Sequence, residues 1–128
     1  MKKPNVGEET LALHLRASGI EFVREYRFGA EHVGLGPKLR ERLKAAGLSD
    51  WRADFALPEF KLLLEVEGGA WMAKSRHTSG VGFAQDLEKY DSAMKLGWNI
   101  YRCSPEMVKA GRAIDTIKQL VELSKGLA

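Results

Sequence analysis

A single cysteine, Cys103, is all the thiol chemistry in this chain, and one thiol builds neither a disulfide framework nor a cysteine zinc site. Its surroundings, NIYRCS, read as a strand that wants a small buried residue there, not a nucleophile. A lone reduced cysteine suits a cytoplasm. No apolar run approaches the roughly 20 residues a membrane helix needs, so a soluble protein without a membrane partner is expected. The opening MKKPNVGEET has two lysines but no apolar stretch behind them, which argues against a secretion signal. No internal repeat or low-complexity segment interrupts the 128 residues. That length suits one domain, residues 1–128, with its own core, and a hydrophobic fraction of 45% is ordinary for it.

What is present is positive charge in patches. The formal net charge is +3. Lys38, Arg40, Arg42, Lys44 and Arg52 fall within fifteen positions, and Lys74, Arg76 and His77 form a second cluster. Such stripes can neutralise phosphates; the plainer alternative is a solvated helix face. They gain meaning only if a site lies between them.

Periodicity orders the chain. GEETLALHLRAS, from Gly7 to Ser18, sets Leu11, Ala12 and Leu15 at helical spacing with Gly19 behind; His14 on this helix reads as structural. EFVREYRF alternates Phe22, Arg24, Tyr26 and Phe28 against Val23, Glu25 and Arg27, as a strand does. GAEHVGLG reads as a loop, and PKLRERLKAAG as a short inserted helix with proline at its start and glycine at its end. WRADFAL and KLLLEVEG read as two strands joined across Pro58 and Glu59. GGAWMAKSRHTSGVG is a glycine-rich loop expected to be mobile. GFAQDLEKYDSAMKLG puts Phe83, Leu87, Tyr90 and Met94 on one helical stripe closed by Gly97. WNIYRCS is a fourth strand, followed after Pro105 by one helical turn and a closing amphipathic helix.

Within this map, LLLEVEGGAW is out of character. Leu62, Leu64 and Val66 point to one face of the strand, and Leu63, Glu65 and Glu67 to the other. Asp54 on the preceding strand shares that second face. A four-residue loop from Pro58 to Lys61 sets Asp54 opposite Glu65, whereas a two-residue turn sets it opposite Leu63. Three carboxylates in a small apolar sheet repel one another and lose hydration, so they need a counter-charge. Mg²⁺ or Mn²⁺ would supply it, since both prefer hard oxygen ligands, usually one or two carboxylates plus water and substrate phosphate. The alternative is an exposed sheet face on which Glu65 and Glu67 pair with arginines.

RADFAL followed by KLLLEVEGGAW, between a leading helix and strand and a trailing helix and strand, resembles the PD-(D/E)XK nuclease superfamily. It is most similar there to phage and bacterial members related to the very-short-patch-repair mismatch endonucleases, in which an LGW closes a helix before a hydrophobic strand with an arginine. Here the corresponding stretch is KLGWNIYR. The resemblance covers roughly residues 8 to 108. It implies an α/β (α+β) fold with a restriction-endonuclease-like core, αβββαβ, whose mixed four-stranded sheet is flanked by helices, with a short helical insert before the second strand.

The resemblance also implies a set of roles. Asp54 becomes the motif aspartate and Glu65 the following acid, with the carbonyl of Val66 a further ligand for Mg²⁺ or Mn²⁺. The superfamily's lysine belongs two residues after that acid, where Glu67 stands instead, as a ligand or a water-positioning acid. Some members move the lysine to the following helix, which makes Lys89 the candidate; pairing with Asp86 or Gln85 is its ordinary alternative. Mismatch-endonuclease relatives use histidine, which raises His77. Glu9, in preference to Glu8, matches an accessory glutamate of the first helix. Trp71 is a core residue or a stacking surface, with core preferred.

The implied activity is metal-dependent endonucleolytic hydrolysis of DNA phosphodiesters in phage or bacterial DNA processing, repair or restriction. It would operate in the cytoplasm of a bacterium or a phage-infected host. Lys38, Arg40, Arg52, Lys74, Arg76 and His77 would hold the DNA backbone, and a homodimer is one route by which so small a domain cuts both strands. A catalytically silent nucleic-acid-binding module on the same fold is the alternative, favoured by the missing lysine. A small interaction protein with exposed acids is a third reading.

Overall fold

The computed structural model describes residues 5–68 and 80–126. Helix α1 (Val6–Ala17) starts behind Asn5, whose side-chain oxygen accepts the Glu8 amide at 2.7 Å, satisfying a donor that the first helical turn leaves unpaired. Its apolar stripe of Leu11, Ala12 and Leu15 is fully buried. Gly7 sits close under its neighbours: a Cβ there would lie 3.1 Å from the Val66 side chain and 3.3 Å from Pro105, so either would have to give by a few tenths of an ångström.

Four strands form one sheet: β1 (Val23–Tyr26), β2 (Ala53–Leu57), β3 (Leu62–Val66) and β4 (Asn99–Cys103), in that spatial order. The first two pairings are antiparallel and β3–β4 is parallel, so the sheet is mixed as expected. A parallel neighbour demands a long crossover, and α4 (Gly80–Lys95) lies within it. Beyond β4, Ser104 accepts the Met107 amide and opens α5 (Pro105–Lys109), which precedes α6 (Arg112–Gly126). No helix among the described residues is long and apolar enough to cross a membrane.

Two apolar layers clamp the sheet. On one face Phe55, Leu57, Leu62, Leu64 and Val66 meet α1, α5 and α6 through Leu11, Leu15, Val108 and Ile117. On the other, Ala53, Ala56 and Leu63 meet Phe28, Ala93 and Trp98. The hairpin register Phe55↔Leu64, Ala56↔Leu63, Leu57↔Leu62 corresponds to the four-residue loop, and its continuation carries Asp54 opposite Glu65.

Three local expectations need correction. The GAEHVGLG segment is not a loop throughout, because Phe28–Val33 forms helix α2. Short helices owe their stability to packing, not to propensity. Here Phe28 is buried against Trp51, with ring centroids 6.3 Å apart, and a Cβ on Gly29 would stand only 2.8 Å from the Ser49 carbonyl oxygen. Second, Phe22, Arg24, Tyr26 and Phe28 do not share one face. Glu25 has φ 51°, which interrupts the strand alternation, so Phe22 packs on Phe55 while Tyr26 packs on Trp98 across the sheet.

Third, the stripe Phe83, Leu87 and Met94 faces outward, each more than half exposed. The side of α4 that meets the sheet carries Ala93, Ser92 and Lys89 instead. Beneath it lies the buried Glu65, and a carboxylate in that position calls for a cation and hydrogen-bond donors more than for hydrocarbon. The insert before β2 is present as expected, as α3 (Leu39–Ala45). Arg42 fastens it, donating to the carbonyls of Val33 at 2.9 Å, Gly34 at 2.6 Å and Pro37 at 2.9 and 3.0 Å. That cation of the first basic cluster is thereby committed to holding the insert.

Candidate active site

The ladder between β2 and β3 ends at Phe55↔Leu64, and Asp54 takes the next position by another route. Its carboxylate Oδ2 accepts the backbone amide of Val66 at 2.9 Å. The carbonyl of an extended residue points to the same strand edge as its amide, so the Val66 carbonyl faces the Asp54 side. Asp54, Glu65 and the Val66 carbonyl therefore gather where the two strands part.

Glu65 is the acid that the fold encloses, with 6% of its surface exposed. Both carboxylate oxygens have partners from α4: the Lys89 ammonium donates to Oε2, and the Tyr90 hydroxyl donates to Oε1 at 2.8 Å. Lys89 also donates to the Arg52 carbonyl at 2.8 Å, which ties the start of β2 to the helix. Burial raises the Glu65 pKa above the ordinary carboxylate range, and the Lys89 charge and the bonds from Lys89 and Tyr90 work against that rise. Burial, with the Glu65 charge added, raises the Tyr90 pKa, so its hydroxyl stays a proton donor at neutral pH.

Glu67 stands just beyond the strand. Its Oε1 accepts from Arg102 at 3.0 Å, and the Arg102 guanidinium lies 4.6 Å from the centre of the Tyr90 ring. Arg102 is opposite Glu65 in the parallel register, so its backbone sits beside that of Glu65 while its side chain reaches forward to hold Glu67. Arginine pairing, one alternative for these acids, therefore applies to Glu67; Glu65 is met by a lysine and a tyrosine.

The other site candidates are distributed unevenly. Lys89 meets Glu65, not Asp86 or Gln85. On α1 the buried acid is Glu8, 2% exposed, with Asn5 donating to it at 2.9 Å and the Arg24 guanidinium forming a looser ion pair at 3.8 Å. Glu9 is half exposed and paired with Arg24 at 2.8 Å. Lys38, Arg40 and Arg52 are exposed on and around the insert. Trp71, Lys74, Arg76 and His77 lie outside the described residues, as does most of the expected mobile loop. Cys103 is buried, its thiol facing the Glu65 carbonyl at 3.7 Å. Burial, with help from the Asp54 and Glu67 charges, pushes its pKa up to about 11, which rules against a thiolate nucleophile.

Tyr90 is the residue that sequence reading placed in the wrong role, as part of an apolar stripe. Its signal was the polar end of its side chain, which seeks a partner when the ring is partly buried. Arg102 was visible as the arginine of the last strand, but its link to Glu67 depends on the parallel pairing of β3 and β4.

As a donor set, two carboxylates and a peptide carbonyl fit a hard, oxygen-seeking cation such as Mg²⁺ or Mn²⁺. Among the described residues there is no group of three or more His, Cys, Asp and Glu able to hold a metal ion, so a cation here would complete its shell with water and substrate oxygens. Comparison with known proteins found no matching family model, no matching curated protein and no matching solved structure.

Proposed function

We propose that the protein is a metal-dependent nuclease that hydrolyses phosphodiester bonds in DNA, on a restriction-endonuclease-like core. The observation that carries this reading is the Lys89 ammonium on the Glu65 carboxylate, beside Asp54 on the adjacent strand. An acid pair with a neighbouring lysine is the minimum equipment for holding a phosphate and stabilising the charge that develops on it. The lysine comes from α4, while Glu67 stands two residues after Glu65, where the resemblance would place a lysine.

Asp54, Glu65 and the Val66 carbonyl would hold Mg²⁺ or Mn²⁺, which supplies Lewis-acid polarisation of the phosphate and a nucleophilic water at neutral pH. The chain's own residues do the rest. Lys89 works against the burial that raises the Glu65 pKa and places a positive charge beside the scissile phosphate. Tyr90 fixes the second Glu65 oxygen, which fixes the direction in which that carboxylate faces. Arg102 holds Glu67, so the third acid is neutralised and does not repel the substrate. Exposed Lys38, Arg40 and Arg52 would take the DNA backbone, giving an affinity that falls steeply with salt.

A second reading is favoured by a specific feature of the same site: both Glu65 oxygens and Asp54 Oδ2 already have donors within the protein. Such a site is satisfied without a metal, as expected of a nucleic-acid-binding module that does not cut. Plasmid nicking by purified protein separates the two. The nuclease reading expects nicking in Mg²⁺ or Mn²⁺, none in EDTA, and loss of at least about a thousandfold in both Asp54→Asn and Glu65→Gln. DNA binding without nicking in either metal would select the silent module, and residual nicking in both variants would mean a contaminant.

A further inference from the structure

Beside Lys89 the insert and α4 stand apart, leaving a cleft of about 1170 Å³. Its walls differ in charge. The α3 wall presents Arg40 and Lys44, one helical turn apart, both exposed and neither with an acidic partner among the described residues. The α4 wall presents Gln85 and Glu88, with Lys89 at the end that reaches Glu65. Between the walls the half-buried Trp51, backed by Phe28, borders the space. Arg27 also lines the cleft, but Asp50 neutralises it through two bonds of 3.0 and 2.5 Å.

From this division of chemistry we infer that the cleft binds a single-stranded segment of nucleic acid, an inference that rests on the nuclease reading and names the form of its substrate. Unpaired cations on one wall suit the phosphate backbone. Glu88 on the opposite wall disfavours phosphate there, so the backbone runs along the α3 side and the bases turn toward α4. There Glu88 and Gln85 meet base edges, where a carboxylate accepts from exocyclic amines. Trp51 offers an aromatic surface for a base, and stacking of that kind tolerates any sequence. A base pair would bury those edges against its own partner. The strand leaves the cleft at Lys89, which delivers its phosphate to Asp54 and Glu65.

The test is equilibrium binding by fluorescence anisotropy, using the Asp54→Asn full-length protein in EDTA so that no hydrolysis interferes. The probes are a labelled mixed-sequence strand rich in cytosine and adenine, whose exocyclic amines Glu88 can accept from, and the same strand annealed to its complement. The single strand should bind at least about tenfold more tightly than the duplex, and Arg40→Glu with Lys44→Glu should remove most of that preference. Both substitutions lie on the exposed side of α3, so the fold survives them; Trp51→Leu, checked by circular dichroism for folding, should weaken single-strand binding by about tenfold. Equal or tighter duplex binding overturns the inference, as does a charge reversal that weakens both probes alike. Plasmid nicking by wild-type protein in Mg²⁺ reports separately on the nuclease reading. Strand preference without nicking removes that reading and leaves the cleft standing, whereas nicking without strand preference removes the cleft alone.

Discussion

Replacing Lys89 by methionine tests the centre of the site, because the stem is kept and only the charge is lost. The side chains of Lys89 and Glu65 are 17% and 7% exposed, so the pair is largely removed from water. Deleting one partner of a buried pair costs about 3–5 kcal/mol, since the other charge is left without compensation. Tyr90 still donates to Glu65 Oε1, which places the expected loss near the lower end, about 3 kcal/mol at pH 8. The loss should depend on pH in a defined direction. Burial already raises the Glu65 pKa above its unfolded value, and losing Lys89 raises it further. A carboxyl whose folded pKa is raised binds its proton more tightly when folded, so it favours folding below the unfolded pKa of about 4.3, and that advantage disappears as pH climbs through the folded pKa. Lys89→Met should therefore fall furthest behind the wild type near pH 8 and recover most of the difference near pH 5. Urea titrations at the two pH values measure this directly. Glu65→Gln added to Lys89→Met should restore stability, giving a coupling in the double-mutant cycle of about 1–3 kcal/mol. In the nicking assay, Lys89→Met should be about a hundredfold slower, or about 2.7 kcal/mol in the barrier. A deficit that is equal at both pH values, with no coupling to Glu65, would refute the buried pair; full activity in Lys89→Met would remove the lysine from the chemistry and turn attention to His77.

Other consequences follow from single contacts. Tyr90→Phe removes the second donor to Glu65 and should cost about 1 kcal/mol, while moving the acidic limb of the pH–rate profile to higher pH; an unmoved limb would mean that Tyr90 only packs. Gly29→Ala should destabilise by about 1–3 kcal/mol, because a Cβ there meets the Ser49 carbonyl at 2.8 Å and the insert must shift; thermal unfolding reads this directly. The Cys103 thiol should resist a thiol reagent at pH 8 in the folded protein and react fully in denaturant, given its burial and a pKa near 11. Rapid modification of folded protein would contradict both.

Strand and helix identity was largely legible in the sequence, because period-2 and period-3.6 patterns are local and register on every residue. The hairpin register was legible as a choice of two, and the four-residue span of Pro58–Lys61 matches the observed pairing. The pairing of carboxylates on β2 and β3 followed from that register and from strand alternation. Charge alone marked Glu65 as anomalous: a carboxylate between leucine and valine on a strand needs a partner wherever the strand is buried. Lys89 was found through resemblance, since helical periodicity by itself offered Asp86 or Gln85 as its partner.

Tertiary structure decided the rest, for reasons that no local window contains. A six-residue α2 is too short to be stable from its own propensity, and it exists because Phe28 has Trp51 to pack on and Gly29 can approach Ser49. The strand β1 changes its outward face at Glu25, where a positive φ lets Phe22 and Tyr26 join cores on opposite sides of the sheet. The rotation of α4 was misread because its strongest hydrophobic stripe is not the stripe that meets the sheet. An amphipathic pattern shows which residues share a side of a helix, but the side turned inward depends on the surface beneath it. Here that surface carries a buried glutamate, and the balance between covering Phe83, Leu87 and Met94 and supplying Glu65 with an ammonium and a hydroxyl went to the carboxylate.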